Sequence, residues 1–256
     1  MLGRDVVIDR LESTQNLQQI VPISELSSPL KSETSLNLNI GSRYNPTANL
    51  SFDLNFFSNQ VNDLIEWKLV AKDENNINIY SYFNVNQVET KGLEFNSTYT
   101  KIDTWEVKLG YQLLYAYDTD VLQDIAKDGS DYYALDPATL TSIKLNQDDY
   151  FGLFNRSRHM GNIKLNFHLN DKTELNTMVT YRSKYALSDS NGNDILDTYD
   201  KFIDGYSVCD IGIDHQISRL KSCQIGVRNV FGFTNPEYIS NITGRVYYMS
   251  FKIDFT

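Results

Sequence analysis

The residues able to do chemistry are few and scattered. The three histidines are His159, His168 and His215. His159 stands near the end of a long polar stretch, where a histidine could reach a haem iron, but nothing beside it suggests more than a polar residue at a strand end. Hydrolysis needs a histidine acting as a unit with a nucleophile or an orienting acid, and no such motif accompanies His168. The run Asp189-Ser190-Asn191-Gly192-Asn193-Asp194 offers oxygen ligands of the kind calcium takes. Its glycine is fourth, not sixth as in an EF-hand loop, so the run reads as a solvated acidic loop. The two cysteines, Cys209 and Cys223, fall on neighbouring predicted strands across a short turn. A disulfide is open on that spacing, although it demands narrow geometry. Zinc is not expected, because no Cys-x-x-Cys pair or histidine at ligand spacing is present. The expectation is no catalytic residue, no metal and no cofactor.

A denser constellation lies in residues 118–155. Asp118, Asp120, Asp124, Asp128, Asp131, Asp136, Asp148 and Asp149 are interleaved there with Tyr132, Tyr133, Tyr150, Phe151 and Phe154. Unpatterned connections beyond roughly 12–15 residues are usually functional. Aromatic rings on a loop give large contact area at low entropic cost, and loops on a rigid scaffold are where binding residues concentrate. These five aromatics are the candidate ligand-contacting residues. The competing reading is an acidic cap that only shields what lies beneath.

The elements that must position this loop are long two-faced strands. From Gly92 to Tyr117 the chain reads as a hairpin. Leu93, Phe95, Ser97 and Tyr99 share one face with Trp105, Val107, Leu109, Tyr111, Leu113, Tyr115 and Tyr117, since strand side chains alternate with period two. Glu94, Asn96, Lys108 and Gln112 take the other face. An apolar face of about thirteen residues exceeds the usual strand of roughly five or six and suits a tilted bilayer crossing, which needs about nine to eleven. Trp105, Tyr111, Tyr115 and Tyr117 here, with Tyr247, Phe251 and Phe255 near the C-terminus, are read as membrane-interface aromatics. The fold class is all-β: an antiparallel, up-and-down transmembrane barrel segment, with lipid on the apolar side and water or protein on the other.

Bulk properties agree. The chain has 256 residues, 41% of them hydrophobic, and a mean hydropathy of −0.39. No run approaches the roughly 18 apolar residues of a membrane helix, whereas alternating strands hide their apolar residues in a polar average. The net charge of −10 argues against nucleic acid as a partner, since phosphates would be repelled. The N-terminus lacks the apolar run and cleavage site of a signal peptide. An exported membrane protein needs one, so the chain reads as a piece of something longer.

In order, residues 1–33 read as a partial strand around Val6, Val7 and Ile8 followed by a loop, and residues 34–256 as barrel. Alternation begins with Leu36, Leu38 and Ile40 and resumes with Leu50, Phe52, Leu54 and Phe56. Residues 60–80 read as a longer connection with Asp73, Glu74, Asn75 and Asn76 at its tip. A phase change places a bulge at Gly92. Later strands carry Ile163, Leu165, Phe167 and Leu169 against Lys164, Asn166 and His168; then Leu175, Thr177, Val179 and Tyr181; then the cysteine strands and the final aromatic strand. Short connections (45–49, 100–104, 170–173, 218–221) alternate with long ones (60–80, 118–155, 184–205, 232–243). In an up-and-down sheet the long loops therefore gather at one end, the outer-membrane arrangement. Period-two matching gives about nine strands. An odd open sheet does not close by itself, and lipid does not tolerate bare edges.

These pieces resemble a known family. Leu30-Lys31-Ser32-Glu33-Thr34 resembles the Leu-Lys-Pro-Glu strand entry of TonB-dependent outer-membrane receptors, with Ser32 in place of the proline. Arg43-Tyr44-Asn45-Pro46, Asn62-Asp63-Leu64-Ile65, Thr90-Lys91-Gly92-Leu93-Glu94-Phe95, Arg156-Ser157-Arg158-His159, Gly226-Val227-Arg228-Asn229-Val230-Phe231 and Gly244-Arg245 are similar to successive family segments. The resemblance covers residues 30–256. It implies a Gram-negative outer-membrane location and the C-terminal portion of a 22-stranded barrel. It also implies a plug domain and TonB as partners in the full-length receptor, and import of a scarce small-molecule or metal-chelate ligand such as siderophore-iron, haem or cobalamin. The alternatives are a smaller porin-like or structural barrel and a soluble all-β binding module.

Overall fold

The computed structural model describes residues 4–13, 18–72, 77–85, 87–101 and 104–255. The expected loop tip at Asp73–Asn76 lies outside them. Helix α1 (Arg4–Ser13), strand β1 (Gln18–Gln19) and helix α2 (Ile23–Leu26) precede two long strands, β2 (Thr34–Thr47) and β3 (Leu50–Asn62). Strands β4 (Leu64–Lys72) and β5 (Asn78–Val85) follow, then β6 (Val88–Lys101) and β7 (Trp105–Asp118). Helix α3 (Thr119–Ala126) leads into the short strands β8 (Tyr133–Leu135), β9 (Ser142–Lys144) and β10 (Tyr150–Gly152). Next come β11 (His159–Asn170), β12 (Thr173–Arg182), the short β13 (Leu196–Asp197), β14 (Tyr206–Ser218), β15 (Lys221–Arg228) and β16 (Val246–Ile253).

Among the described residues, nine strands form one antiparallel sheet in the order β16-β15-β14-β12-β11-β7-β6-β3-β2. Each strand pairs with its predecessor in the wall, as an up-and-down topology requires, and the edges β2 and β16 are not bonded to each other. The pairing register aligns like with like. Phe95 opposes Tyr111 and Tyr99 opposes Val107; Tyr111, Leu109 and Val107 oppose Gly161, Ile163 and Leu165; Ile163 and Leu165 oppose Val179 and Thr177. The outer face is thus a continuous apolar band, in which Ile163, Ile225, Tyr247, Met249 and Phe251 are all exposed. A one-residue slip would invert both faces.

The inner face carries a polar ladder. Gln112 Nε2 donates to Glu94 (3.0 Å), Asn166 Nδ2 to Glu106 (3.3 Å) and Gln224 Nε2 to Asp214 (3.2 Å). Lys108 Nζ lies 2.9 Å from Glu106. Amide donors thus satisfy carboxylates across neighbouring strands, and Lys108 balances Glu106 two residues away on the same face of β7.

Three expectations change, and the cysteine pairing left open by the sequence is answered. Val6, Val7 and Ile8 lie in α1, not in a strand. Val7 and Leu11, four residues apart and thus on one helical face, bury with Leu26 against Val70, Ala71 and Ile79 of the β4–β5 hairpin. Residues 60–80 are not a plain connection: β3 runs on to Asn62 and β4–β5 is a projecting hairpin. A register shift between Leu69 and Ala71 breaks the alternation that would have revealed it. No bulge occurs at Gly92, which pairs in unbroken register with Phe57 and Leu114. Glycine is required there because a Cβ would sit 1.9 Å from the Leu113 carbonyl oxygen and 3.0 Å from the Phe57 ring. Finally, Cys209 and Cys223 are both free. Cys209 opposes Val179 at one end of β14, and Cys223 opposes His215 towards the other.

Candidate functional site

At one end of the wall the strands join through tight turns, and at the other through connections long enough to fold. Residues 118–155, an unpatterned stretch by sequence, build a small unit. The Asp118 carboxylate accepts from the N–H groups of Asp120 (2.9 Å) and Val121 (3.3 Å), capping α3. Ile125 on that helix buries with Ala134, Leu145, Tyr150 and Ile195, and Tyr117, Leu122, Tyr132 and Tyr199 pack around them. Ile195 and Tyr199 belong to the next long loop, so two loops share one core. Strand β10 pairs antiparallel with β13 across them, and Asn193 Nδ2 donates to the Tyr133 carbonyl at 3.0 Å.

The acidic run that suggested calcium does a different job. Asp189 accepts from the N–H groups of Asn191 (2.8 Å), Gly192 (2.7 Å) and Asp194 (2.7 Å). Asp197, fully buried, accepts from Asn191 Nδ2, Asn193 Nδ2 and the Tyr199 N–H at 2.7–2.9 Å. Asp200 binds both the N–H and the hydroxyl of Ser190. These carboxylates are satisfied by the loop itself, and among the described residues no group of three or more His, Cys, Asp or Glu could hold a metal.

A second core joins Tyr185 and Ile203 of the same loop to Ile239 of residues 229–245, with Tyr206, Phe233, Tyr238 and Ile242 around them. Asn229, in the left-handed region at φ 51°, closes that loop: its amide donates to Phe233 O (2.6 Å) and Thr243 O (2.8 Å) and accepts from Phe233 N (2.9 Å).

Cations and rings meet where the two cores adjoin. Phe151 and Phe202 contact edge to face at 4.7 Å. The Arg158 guanidinium lies 4.3 Å from the Phe151 ring, and Lys184 lies 4.6 Å from the Phe202 ring. Arg182 stacks on Tyr185 at 3.6 Å and donates to Ser157 Oγ and to the Asn155 carbonyl and side-chain oxygens. Lys201 donates to the Tyr238 hydroxyl, and this bond, with the nearby charge of Glu237, raises its pKa. Leu187, Ser188, Ser190, Lys201, Phe202 and Tyr238 line a cleft of about 180 Å³. Such a surface can hold an anionic or aromatic group.

The candidate residues fare differently. Tyr133 is exposed, Tyr132 is half-buried on the first core, and Phe151 and Phe154 are half-buried. Tyr150 is buried rather than offered to a ligand, and burial pushes its phenol up to about 12. Of the expected interface rings, Tyr115, Tyr247, Phe251 and Phe255 are exposed, and Trp105 meets Tyr99 at the tight-turn end, centroids 4.9 Å apart. Tyr111 lies near mid-strand, its hydroxyl 2.8 Å from His159 Nδ1, and Tyr117 packs beneath the loop core. His168 Nδ1 lies 3.6 Å from Glu174, and His215 Nδ1 lies 2.9 Å from the Thr173 hydroxyl. The second core and its cations escaped the sequence reading. The available signal was the run of Arg158, Arg182, Lys184 and Lys201 beside aromatic residues.

A two-faced antiparallel wall with folded loops on one rim defines a partial barrel of the outer-membrane type. The sequence matches the family described as TonB dependent receptor-like, β-barrel, over residues 13–230, and the chain belongs to that family. This is a family of outer-membrane receptors and transporters in Gram-negative bacteria. Similar solved structures include the ferric enterobactin receptor PfeA of Pseudomonas aeruginosa (21% identity, 88% of this chain and 32% of that chain, TM-score 0.60). The ferric-catecholate import receptor Fiu of E. coli K12 (15% identity, 93% and 30%, TM-score 0.58) and the copper transporter OprC (14% identity, 89% and 32%, TM-score 0.59) share the fold. The chain spans about a third of the length of these structures. No curated protein sequence is significantly similar to it.

Proposed function

We propose that this chain forms wall and loop cap of an outer-membrane receptor that imports a scarce metal chelate, with a plug against the inner ladder and energy coupled through TonB. The observation that carries this is the folded cap: cations stacked on rings crown a wall whose opposite faces suit lipid and a polar interior. Residues 34–256 supply the wall and its loops, while α1, β1 and α2 of the N-terminal segment pack on the β4–β5 hairpin at the long-loop end. Tyr132, Tyr133, Phe151 and Phe154, with Lys184 and Lys201, are the ligand-contacting set, and Tyr150 holds them from beneath. Ferric catecholates are the first chelates to try, because relatives of this fold are described as receptors for them. The test is uptake of ⁵⁵Fe-enterobactin by cells carrying the receptor that contains this chain. Saturable uptake abolished by an uncoupler supports the reading. Unsaturable passage of small solutes, indifferent to the uncoupler, would instead make it a passive pore.

A further inference from the structure

On the outer face, a groove of about 420 Å³ runs over Gly161 and is walled by Phe95, Leu109, Tyr111, Ile163, Val179 and Tyr181. It exists because Gly161 presents no side chain between its two register partners, Tyr111 on β7 and Tyr181 on β12. The backbone does not demand this glycine. A Cβ there would come no nearer than 3.4 Å to the Gly110 carbonyl oxygen, in contrast to Gly92.

Above the groove, towards the long loops, two cations flank Tyr115. Lys91 is the β6 register partner of Tyr115, and its Nζ lies 4.9 Å from the Tyr117 ring. The Arg158 guanidinium lies 5.3 Å from the Tyr115 ring, donates through Nη2 to Phe151 O at 3.2 Å, and keeps a buried Nε with no partner. The acid facing this cluster is Glu89, 3.8 Å from Lys91. His159, on the same face, is taken by Tyr111.

We propose that groove and cations together form a site for one phosphate-bearing lipid, its acyl chain over Gly161 and its headgroup between Lys91 and Arg158. The proposal rests on the reading of this sheet as a membrane wall. Tyr115 is four residues above Tyr111, about 13 Å at roughly 3.3 Å per residue, which places a headgroup and the first carbons of a chain in line. Width selects the occupant. Tyr111 and Tyr181 stand two strands apart, about 10 Å at roughly 4.8 Å per strand. Between their rings one hydrocarbon chain fits, but a helix of about 10–12 Å diameter does not. Long basic side chains at the edge of an apolar band also keep their charge at headgroup level.

The experiment uses the receptor containing this chain, purified and exchanged into mixed phosphatidylglycerol and phosphatidylcholine vesicles, then released for native mass spectrometry. Wild type is expected to retain one phosphatidylglycerol with at least tenfold preference. K91Q and R158Q should bring that preference close to one. G161L, and more mildly G161A, should lose the retained lipid while the barrel still shows its heat-dependent gel shift. Millimolar inorganic phosphate should not displace the lipid. Equal retention of both lipids by wild type, unchanged retention in G161L, or displacement by phosphate alone would each overturn the site. A protein that never enters the vesicles would overturn the membrane-wall reading beneath it.

Discussion

The hydroxyl of Tyr150 accepts a hydrogen bond from the backbone N–H of Asp118 at 3.0 Å. Asp118 ends a membrane-type strand and caps α3, whereas Tyr150 sits in the core of the loop unit. One phenol therefore ties the cap to the wall. Its pKa, about 12 because of burial, lies above the unfolded value of about 10. The folded cap holds the proton longer than the unfolded one, so this contribution is complete below about pH 10 and is lost as pH rises towards 12. Protease cleavage within residues 119–158, normalised to cleavage of an unstructured peptide at the same pH, should rise over that interval. In Y150F, which keeps the ring but cannot ionise, that rise should be absent.

Asp197 tests whether the two loops fold as one. It is fully buried and accepts three hydrogen bonds from its own loop, while its strand β13 pairs with β10 of the other loop. Hydrogen bonds to a charged group contribute about 1.5–3 kcal/mol each. D197A should therefore loosen both loops together, seen as protease cleavage within residues 119–158 as well as 184–205. Cleavage confined to 184–205 would show that the loops fold separately.

Glycines on the two faces should behave oppositely. Alanine at Gly92 would collide with the Leu113 carbonyl, whereas alanine at Gly161 makes only an ordinary contact. G92A should sharply lower the yield of assembled barrel on a heat-modifiability gel, and G161A should leave it near wild type.

Much of the wall was legible because it obeys one rule. Ile163, Leu165 and Phe167 alternate with Lys164, Asn166 and His168, and the register keeps both sets aligned with β7 and β12. The β4–β5 hairpin was illegible because the irregularity between Leu69 and Ala71 breaks that rule. Helix α1 was missed for a related reason: Val6-Val7-Ile8 has strand-like composition, and only the Val7–Leu11 spacing against Val70 and Ile79 makes it helical. In the cap, the aromatics of residues 118–155 marked the right region. Which of them are buried depends on Ile195 and Tyr199, some forty residues away, and no local pattern carries that.

The central claim, that one face of this sheet meets lipid and the other a polar interior, is tested most directly along β7. Both native cysteines are first replaced by serine, and single cysteines are then placed at residues 106–113 in the receptor containing this chain. Reaction with a membrane-confined maleimide is compared with that of a charged, water-soluble one. Positions 107, 109, 111 and 113 should react with the lipid probe, and positions 106, 108, 110 and 112 should be protected from it. A further contrast is expected for arginine. L109R and L113R, each two residues from mid-strand Tyr111, should cost about 2–4 kcal/mol, while Q112R should be tolerated. Labelling without the two-residue alternation, or alternation in the opposite phase, would contradict the account.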